Sequence, residues 1–264
     1  MNKDNRNFKK PHIVKYLSKN IRYDGRTKDQ FREVFVETGF ISTAEGSARV
    51  KLGNTEVIAG VKMELGTPYP DNPDEGTIMV GAEFLPMASS KFESGPPGED
   101  AIELARVVDR GIRESHSIDL KKLCIKSGEQ MWIISVDVCT INDDGNLLDA
   151  SGLAALAAIE DAVFPELKQV GERQEVDYKT KTTNKVPINK RPIPVTVHKI
   201  DGDFVVDPLP DEEALSSARL TITTTEDGKL CSLQKGKEGP ISADDLSAMV
   251  DLALKCASEL RSKL

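Results

Sequence analysis

The stretch from Met131 to Ile159 constrains this chain most, because a strand pattern, a tight turn and an alanine-rich helix succeed one another within it. From Met131 to Ile141 the residues are mostly β-branched or aromatic (Trp132, Ile133, Ile134, Val136, Val138, Thr140, Ile141). Ser135, Asp137 and Cys139 alternate onto one face, as in a half-buried strand. Asn142-Asp143-Asp144-Gly145-Asn146 has the composition of a turn. Ala150, Leu153, Ala154, Leu156, Ala157, Ala158 and Ile159 then predict a helix of small residues. Such a helix can lie close against a sheet, before Pro165 ends the regular pattern.

A strand, turn and helix in this order bring free backbone N–H groups and the positive end of a helix dipole together at the turn, a geometry that suits a phosphate. The side chains do not. Asn146, Leu147, Leu148 and Asp149 put two leucines and a carboxylate where a hydroxyl and a cation would help. Two readings stay open: an anion cradle without its ligand, and an ordinary strand-turn-helix that binds nothing.

The 264 residues can bury a substantial core as one large domain or two intimately joined halves. With 30% charged residues and a mean hydropathy of -0.34, the chain reads as soluble. No apolar run approaches the ~20 residues needed to span a bilayer, so no membrane association is expected. The start, Met1 to Asn7, lacks the apolar core of a secretory signal. Cys124, Cys139, Cys231 and Cys256 have no ligand-like spacing and read as reduced, buried residues of a cytoplasmic protein. His12, His116 and His198 lie far apart, and no metal site or cofactor is expected. The net charge of -8 argues against a dedicated nucleic-acid binder, although screening over about 8 Å lets a local arginine cluster act within an acidic protein.

A leading helix is predicted with Pro11 in its first turn. Strand patterns follow to about Leu85, including a hairpin of Ser47–Leu52 and Thr55–Val61 around Gly53-Asn54. A helix is expected from Ala101 to about Ser115. The polar segment from Gly171 to Lys190 is expected as a mobile connection. Beyond it come hairpins bending at Asp201-Gly202 and Asp227-Gly228, then a last helix capped by Ser242 with Asp245. Ser47-Ala48-Arg49-Val50 and Ser217-Ala218-Arg219-Leu220 each open a hairpin that a helix later follows, a hint of duplication.

Arg106, Arg110 and Arg113, spaced by four and three, share one face of the Ala101–Ser115 helix. Three guanidinium groups in a row suit a phosphodiester backbone. The same face could equally be solvated and tied down by Glu103, Asp109 and Glu114. Gly111 within the helix points to a close approach by a neighbour. The acidic group Asp207, Asp211, Glu212 and Glu213, set among Pro208 and Pro210, is expected as a surface turn, with a metal or general-acid role as the alternative reading. No Walker loop, nucleophile motif or dinucleotide fingerprint occurs.

Taken together, Arg22-Tyr23-Asp24-Gly25-Arg26, the hairpin from Gly46 to Thr55, Glu93-Ser94-Gly95-Pro96-Pro97-Gly98 and the arginine helix resemble the RNase PH family. More narrowly, they resemble the archaeal exosome ring subunit that lacks its own active site. The resemblance runs from about Lys15 to the last helix. It implies an α+β sandwich with duplicated βαβ-type halves and mixed sheets packed on helices. The expected parts are a helix and turn over 1–30, a first half over 31–165, a polar connection over 166–190 and a second half over 191–264.

The resemblance further implies a six-membered ring of three heterodimers with a catalytic RNase PH-like paralogue, RNA-binding cap subunits, and a channel for single-stranded RNA. Active members hold phosphate on a Gly-Gly-Ser/Thr-Arg loop, whose last three positions are here Asn146, Leu147 and Leu148. Their catalytic aspartate falls near Ser217 or Ala218. No catalytic residue is therefore expected. The implied role is a non-catalytic component of 3′-to-5′ RNA degradation that contacts RNA through Arg106, Arg110 and Arg113. The rival readings are an active phosphate-dependent exoribonuclease and a plain RNA-binding module with no ring.

Overall fold

The computed structural model describes residues 3–171 and 173–264. A helix α1 (Lys3–Leu17) leads into a sheet with strand order β1 (Val34–Thr38), β2 (Gly46–Leu52), β3 (Thr55–Gly66), β6 (Gln130–Asn142) and β4 (Thr77–Phe84). Short β5 (Cys124–Lys126) pairs with β6. All pairings are antiparallel except β4 with β6, which run parallel with Val80 opposite Val136. The parallel pair needs a crossover, and α2 (Glu99–Glu114) lies within the connection from β4 to β6. α3 (Leu147–Asp161) follows β6 directly.

The second half has an antiparallel sheet ordered β10 (Asp203–Val206), β9 (Ile193–Ile200), β11 (Ala218–Thr224) and β12 (Leu230–Gly236). Only the first of the two large sheets is mixed. A short α4 (Pro210–Leu215) separates β10 from β11, and α5 (Ala243–Arg261) packs on β9 and β11. Ser242 caps α5 as expected: its hydroxyl accepts from the Asp245 amide, and the Asp245 carboxylate accepts from the Ser242 amide.

α3 is the centre of the molecule. Every residue from Asp149 to Ile159 is buried, with β2 and β3 on one side and β9 on the other. Small residues make this possible. A side chain at Gly46 would meet the Ala158 carbonyl at 2.4 Å, and one at Gly152 would meet the Pro194 ring at 2.3 Å. Gly111 of α2 likewise faces Thr223 of β11, which identifies the neighbour that its presence in a helix implied. One core therefore joins both halves, with α2, α3 and α5 contributing to it.

Three sequence expectations change. α1 extends from Lys3 with Pro11 inside it, whereas Pro11 was expected in its first turn. The segment expected as a mobile connection is largely β8 (Arg173–Lys185), which pairs with β7 (Val163–Val170) as a two-stranded ribbon carrying Pro165. Its Lys and Thr residues tolerate a strand because most of that ribbon faces solvent. Of the cysteines only Cys256 is buried; the other three are half-buried, and all four are free.

Candidate functional site

The acidic turn is the largest departure from expectation, and it explains how the Asp144–Asn146 loop is held. Asp207 is 0% exposed and Glu212 1%. Both are surrounded by arginines from the segment before β1. Arg22 pairs with Glu212 at 2.5 Å and also donates to the Val206 and Asp207 carbonyls. Arg26 reaches Asp207 Oδ2 at 2.7 Å, and Arg32 reaches Asp207 Oδ1 at 2.6 Å. Arg32 continues to the loop, donating to the Asp144 carbonyl at 2.8 Å and the Gly145 carbonyl at 3.1 Å. Thr55 closes the frame by donating to the Gly145 carbonyl at 2.6 Å. A buried carboxylate of this kind persists only when paired, and each guanidinium here donates to several oxygens at once.

Asn146 stands at the helix start with φ 60 and ψ 43, left-handed backbone in which asparagine is one of the few tolerated non-glycine residues. Its side chain does not cap the helix. It turns inward, its Nδ2 donating to Asp149 at 3.0 Å and to Asp207 at 3.1 Å. Asp149 is itself held by the Thr196 amide at 3.1 Å and the Thr196 hydroxyl at 2.7 Å. The loop is thus a junction of α3, β9 and the arginine cluster.

Burial pushes the Asp149 carboxyl up to about 7, against the hydrogen bonds from Thr196 and Asn146 that favour its charged form. Between about pH 4 and 7 the folded protein keeps a proton that the unfolded chain has lost. Stability is therefore expected to fall as pH rises through that interval, at up to about 1.4 kcal/mol per pH unit, and to level off above it. Urea unfolding followed from pH 4 to 8 checks this, and Asp149→Asn should flatten the slope.

Leu147 and Leu148 are half-buried. With Phe84, Phe92 and Leu104 they form the apolar side of a cavity of about 340 Å³. Asn146, Thr196, His198 and Arg219 make its polar side, joined by Lys91 and Lys237 and by the acids Asp100, Glu103, Asp143 and Glu213. Arg219 is engaged by Glu103 at 2.5 Å, an ion pair tying α2 to β11. Ser217 and Ala218 stand at the start of β11, and the Ser217 hydroxyl donates to the Lys199 carbonyl at 3.2 Å. Burial holds His198 well below the usual imidazole range, so it is neutral.

On α2 the three arginines separate. Arg113 is clamped, donating to both Asp109 oxygens at 3.0 and 2.7 Å and to the Ile78 carbonyl of β4. Arg106 and Arg110 are exposed and have no hydrogen-bond or ion-pair partner among the described residues. Among the arginines whose side chains are described, no others lack one: Arg22, Arg26, Arg32, Arg49, Arg113, Arg191 and Arg219 are ion-paired, and Arg261 donates to carbonyls. Arg106 and Arg110 border a cleft of about 520 Å³ between α2 and β4, whose lining includes Val80, Ala82 and the exposed Ile102. Among the described residues no group of three or more His, Cys, Asp or Glu is placed to hold a metal, and no helix is long and apolar enough to cross a membrane.

The sequence located Asn146, Leu147, Leu148 and the arginine helix, and the structure places the loop and the Glu103 flank of that helix around one cavity. It gave no role to Arg32 or Thr196, placed Asp207 in a surface turn and read His198 as an isolated histidine. One signal for Asp207 was available in its position directly after the apolar strand residues Val205 and Val206.

Two family descriptions match the chain: 3′ exoribonuclease family domain 1 over residues 30–165 and domain 2 over residues 190–256. The exosome complex component Rrp42 of Methanocella arvoryzae is 45% identical over 257 residues, covering 97% of this chain and 95% of that protein. The Rrp42 of Thermococcus onnurineus is 44% identical, with 96% and 93% covered. The solved Archaeoglobus fulgidus exosome with RNA bound to the active site contains a chain that superposes with a TM-score of 0.89 at 43% identity, over 98% of each chain. Conserved layout and full-length similarity agree: this chain belongs to the RNase PH family of 3′ exoribonucleases.

Proposed function

We propose that this protein is a non-catalytic component of a cytoplasmic archaeal-type exosome, acting in 3′-to-5′ RNA degradation. It alternates with a catalytic RNase PH-like paralogue in a ring of three heterodimers that also carries RNA-binding cap subunits. Its own part is to hold the phosphodiester backbone of single-stranded RNA near the partner's active site. The single observation that carries this reading is that Arg106 and Arg110 are exposed and unpaired on one helix while the chain's other described arginines are engaged. Unpaired guanidinium groups keep their full capacity for phosphate, and their desolvation is not already spent on an internal partner.

The loop supports the non-catalytic part. Phosphorolysis depends on a positioned phosphate and on cations that offset developing charge. Leu147 and Leu148 offer neither, and the cavity beside them is lined by three cationic residues against four acidic ones, with Glu103 already seated on Arg219. A free phosphate would have to compete with Glu103 for Arg219. An exposed Met79 on the edge strand β4 and an exposed Ile102 on α2 give the same flank apolar surface for a ring neighbour.

The test is to incubate the purified chain with phosphate and oligoadenylate, alone and with the catalytic paralogue. The isolated chain is expected to release no nucleoside diphosphate, and the mixture to form a ring-sized species that does. Release by the chain alone would overturn the reading in favour of an active phosphorolytic enzyme. A monomer indifferent to the paralogue would favour a plain RNA-binding module.

A further inference from the structure

From Asn5 to Tyr23 the sequence holds six Lys and Arg and no Asp or Glu, in a chain whose net charge is -8. The structure sorts that run into two faces. Ile13 and Leu17 of α1 are buried with Ile200 and Val205 of the second sheet, and Leu215 of α4 packs on them. Just beyond the helix Arg22 is buried against Glu212, which anchors the end of α1. The other face is His12, Lys15, Tyr16 and Lys19, recurring at three- and four-residue spacing and all exposed. Lys15 and Lys19, like the exposed Lys10, have no hydrogen-bond or ion-pair partner among the described residues. The carboxylate that ends the run, Asp24, is taken by Arg26 at 2.7 Å. Two rings complete the face. Tyr16 is 43% and Tyr23 54% exposed, and they pair with centroids 5.4 Å apart and planes tilted by 53°.

Charge and ring chemistry select the occupant. Unpaired lysines favour a polyanion, and exposed rings offer stacking surface to unpaired bases, the combination that holds single strands without sequence preference. A duplex hides the faces of its bases and could use only the lysines. An anionic lipid surface fits less well, because a helix lying on a membrane needs its apolar face free, and that of α1 is spent on the second sheet and α4. Protein interfaces are built around a centre depleted in lysine, whereas here the lysines are interleaved with the rings.

We propose that the outward face of α1 is a second site for single-stranded RNA, its lysines set on backbone phosphates and Tyr16 and Tyr23 stacked on bases. The site extends the RNA-holding role argued above and uses none of the same residues: α1 packs on α4, whereas Arg106 and Arg110 stand on α2, which packs on β4.

The experiment is fluorescence anisotropy of a labelled oligoadenylate over a salt series. It uses the full chain and the ring formed with the catalytic paralogue, both carrying Arg106→Ala and Arg110→Ala so that α2 contributes little. Residual binding is expected. Lys15→Gln with Lys19→Gln should weaken it about tenfold at low salt and make the slope of log affinity against log salt shallower by about 1.4. Tyr16→Ala with Tyr23→Ala should weaken it about tenfold or more with the slope unchanged, and Tyr16→Phe with Tyr23→Phe should retain it. An RNA duplex should respond to the lysine pair only. All four side chains are exposed, so the variants should keep the parent's thermal midpoint. Unchanged RNA affinity in every variant, or no residual binding, would overturn the proposal and leave the α2 reading intact. Loss of ring assembly with RNA binding by the isolated chain unchanged would mark the face as a protein interface and overturn it too. If neither the parent chain nor its ring bound RNA, both readings would fail.

Discussion

With Arg106 and Arg110 both changed to alanine, the ring assembled with the catalytic paralogue is expected to bind single-stranded RNA about 10- to 100-fold more weakly at low salt. A hydrogen bond to a charged group contributes about 1.5–3 kcal/mol, less where solvent and salt screen it, so two such contacts give a loss of this size. Because the contacts are to backbone phosphates, the loss should be uniform across RNA sequences. The slope of log affinity against log salt should become shallower by about 1.4, or 0.7 for each phosphate contact on a single strand. The rate at saturating RNA should change less than the KM, since these groups hold RNA without touching the reacting bond. Filter binding and phosphorolysis assays across a salt series make the measurement. Unchanged affinity and slope in a correctly assembled ring would remove RNA guiding from this helix. Arg113→Ala is a control of a different kind: its guanidinium already serves Asp109 and the Ile78 carbonyl, so its loss should loosen the packing of α2 on β4.

The largest stability effect is expected at Asp207. It accepts from Arg26, from the Arg32 side chain and amide, and from Asn146, and it is 0% exposed. Asp207→Ala removes the buried carboxylate from two nearly buried guanidinium groups and leaves them only the partly exposed Asp24 and Asp144, a change that costs about 3 kcal/mol or more. Against a total of roughly 5–15 kcal/mol for a typical domain, this brings the chain close to unfolding at ordinary temperature. Urea denaturation should show a much lower midpoint at similar slope. The effect should also reach the loop, because Arg32 holds the Asp144 and Gly145 carbonyls while bonded to Asp207. Faster hydrogen exchange at the start of α3 would report it. A midpoint within about 1 kcal/mol of the parent would show that the cluster is not the anchor its geometry suggests.

This anchoring gives a physical account of why the loop keeps its shape. Its carbonyls and the Asn146 side chain are bound to Arg32, Thr55, Asp149 and Asp207, so its backbone is fixed by packing between the halves. Leu147 and Leu148, by contrast, face a cavity where side-chain chemistry changes without disturbing those bonds.

The alternation of β6, the Gly53-Asn54 and Asp201-Gly202 bends, the capping box of α5 and the small-residue character of α3 were legible in the sequence. Each depends on residues a few positions apart, and the chemistry of a strand face, a turn or a helix end is local. The polar ribbon β8 was not legible, since its pairing is with β7 and its composition resembles a loop. Nor was the burial of Asp207 and Glu212: beside prolines they look like a surface turn, and only the return of Arg22, Arg26 and Arg32 from about 180 residues away makes their burial tolerable. The same holds on α2. Spacing alone put Arg106, Arg110 and Arg113 on one face and determined that the helix could present a row of cations. The tertiary structure decided which of them are available, because an arginine's capacity for phosphate depends on whether a carboxylate from its own fold has reached it first, and only Arg113 has been claimed.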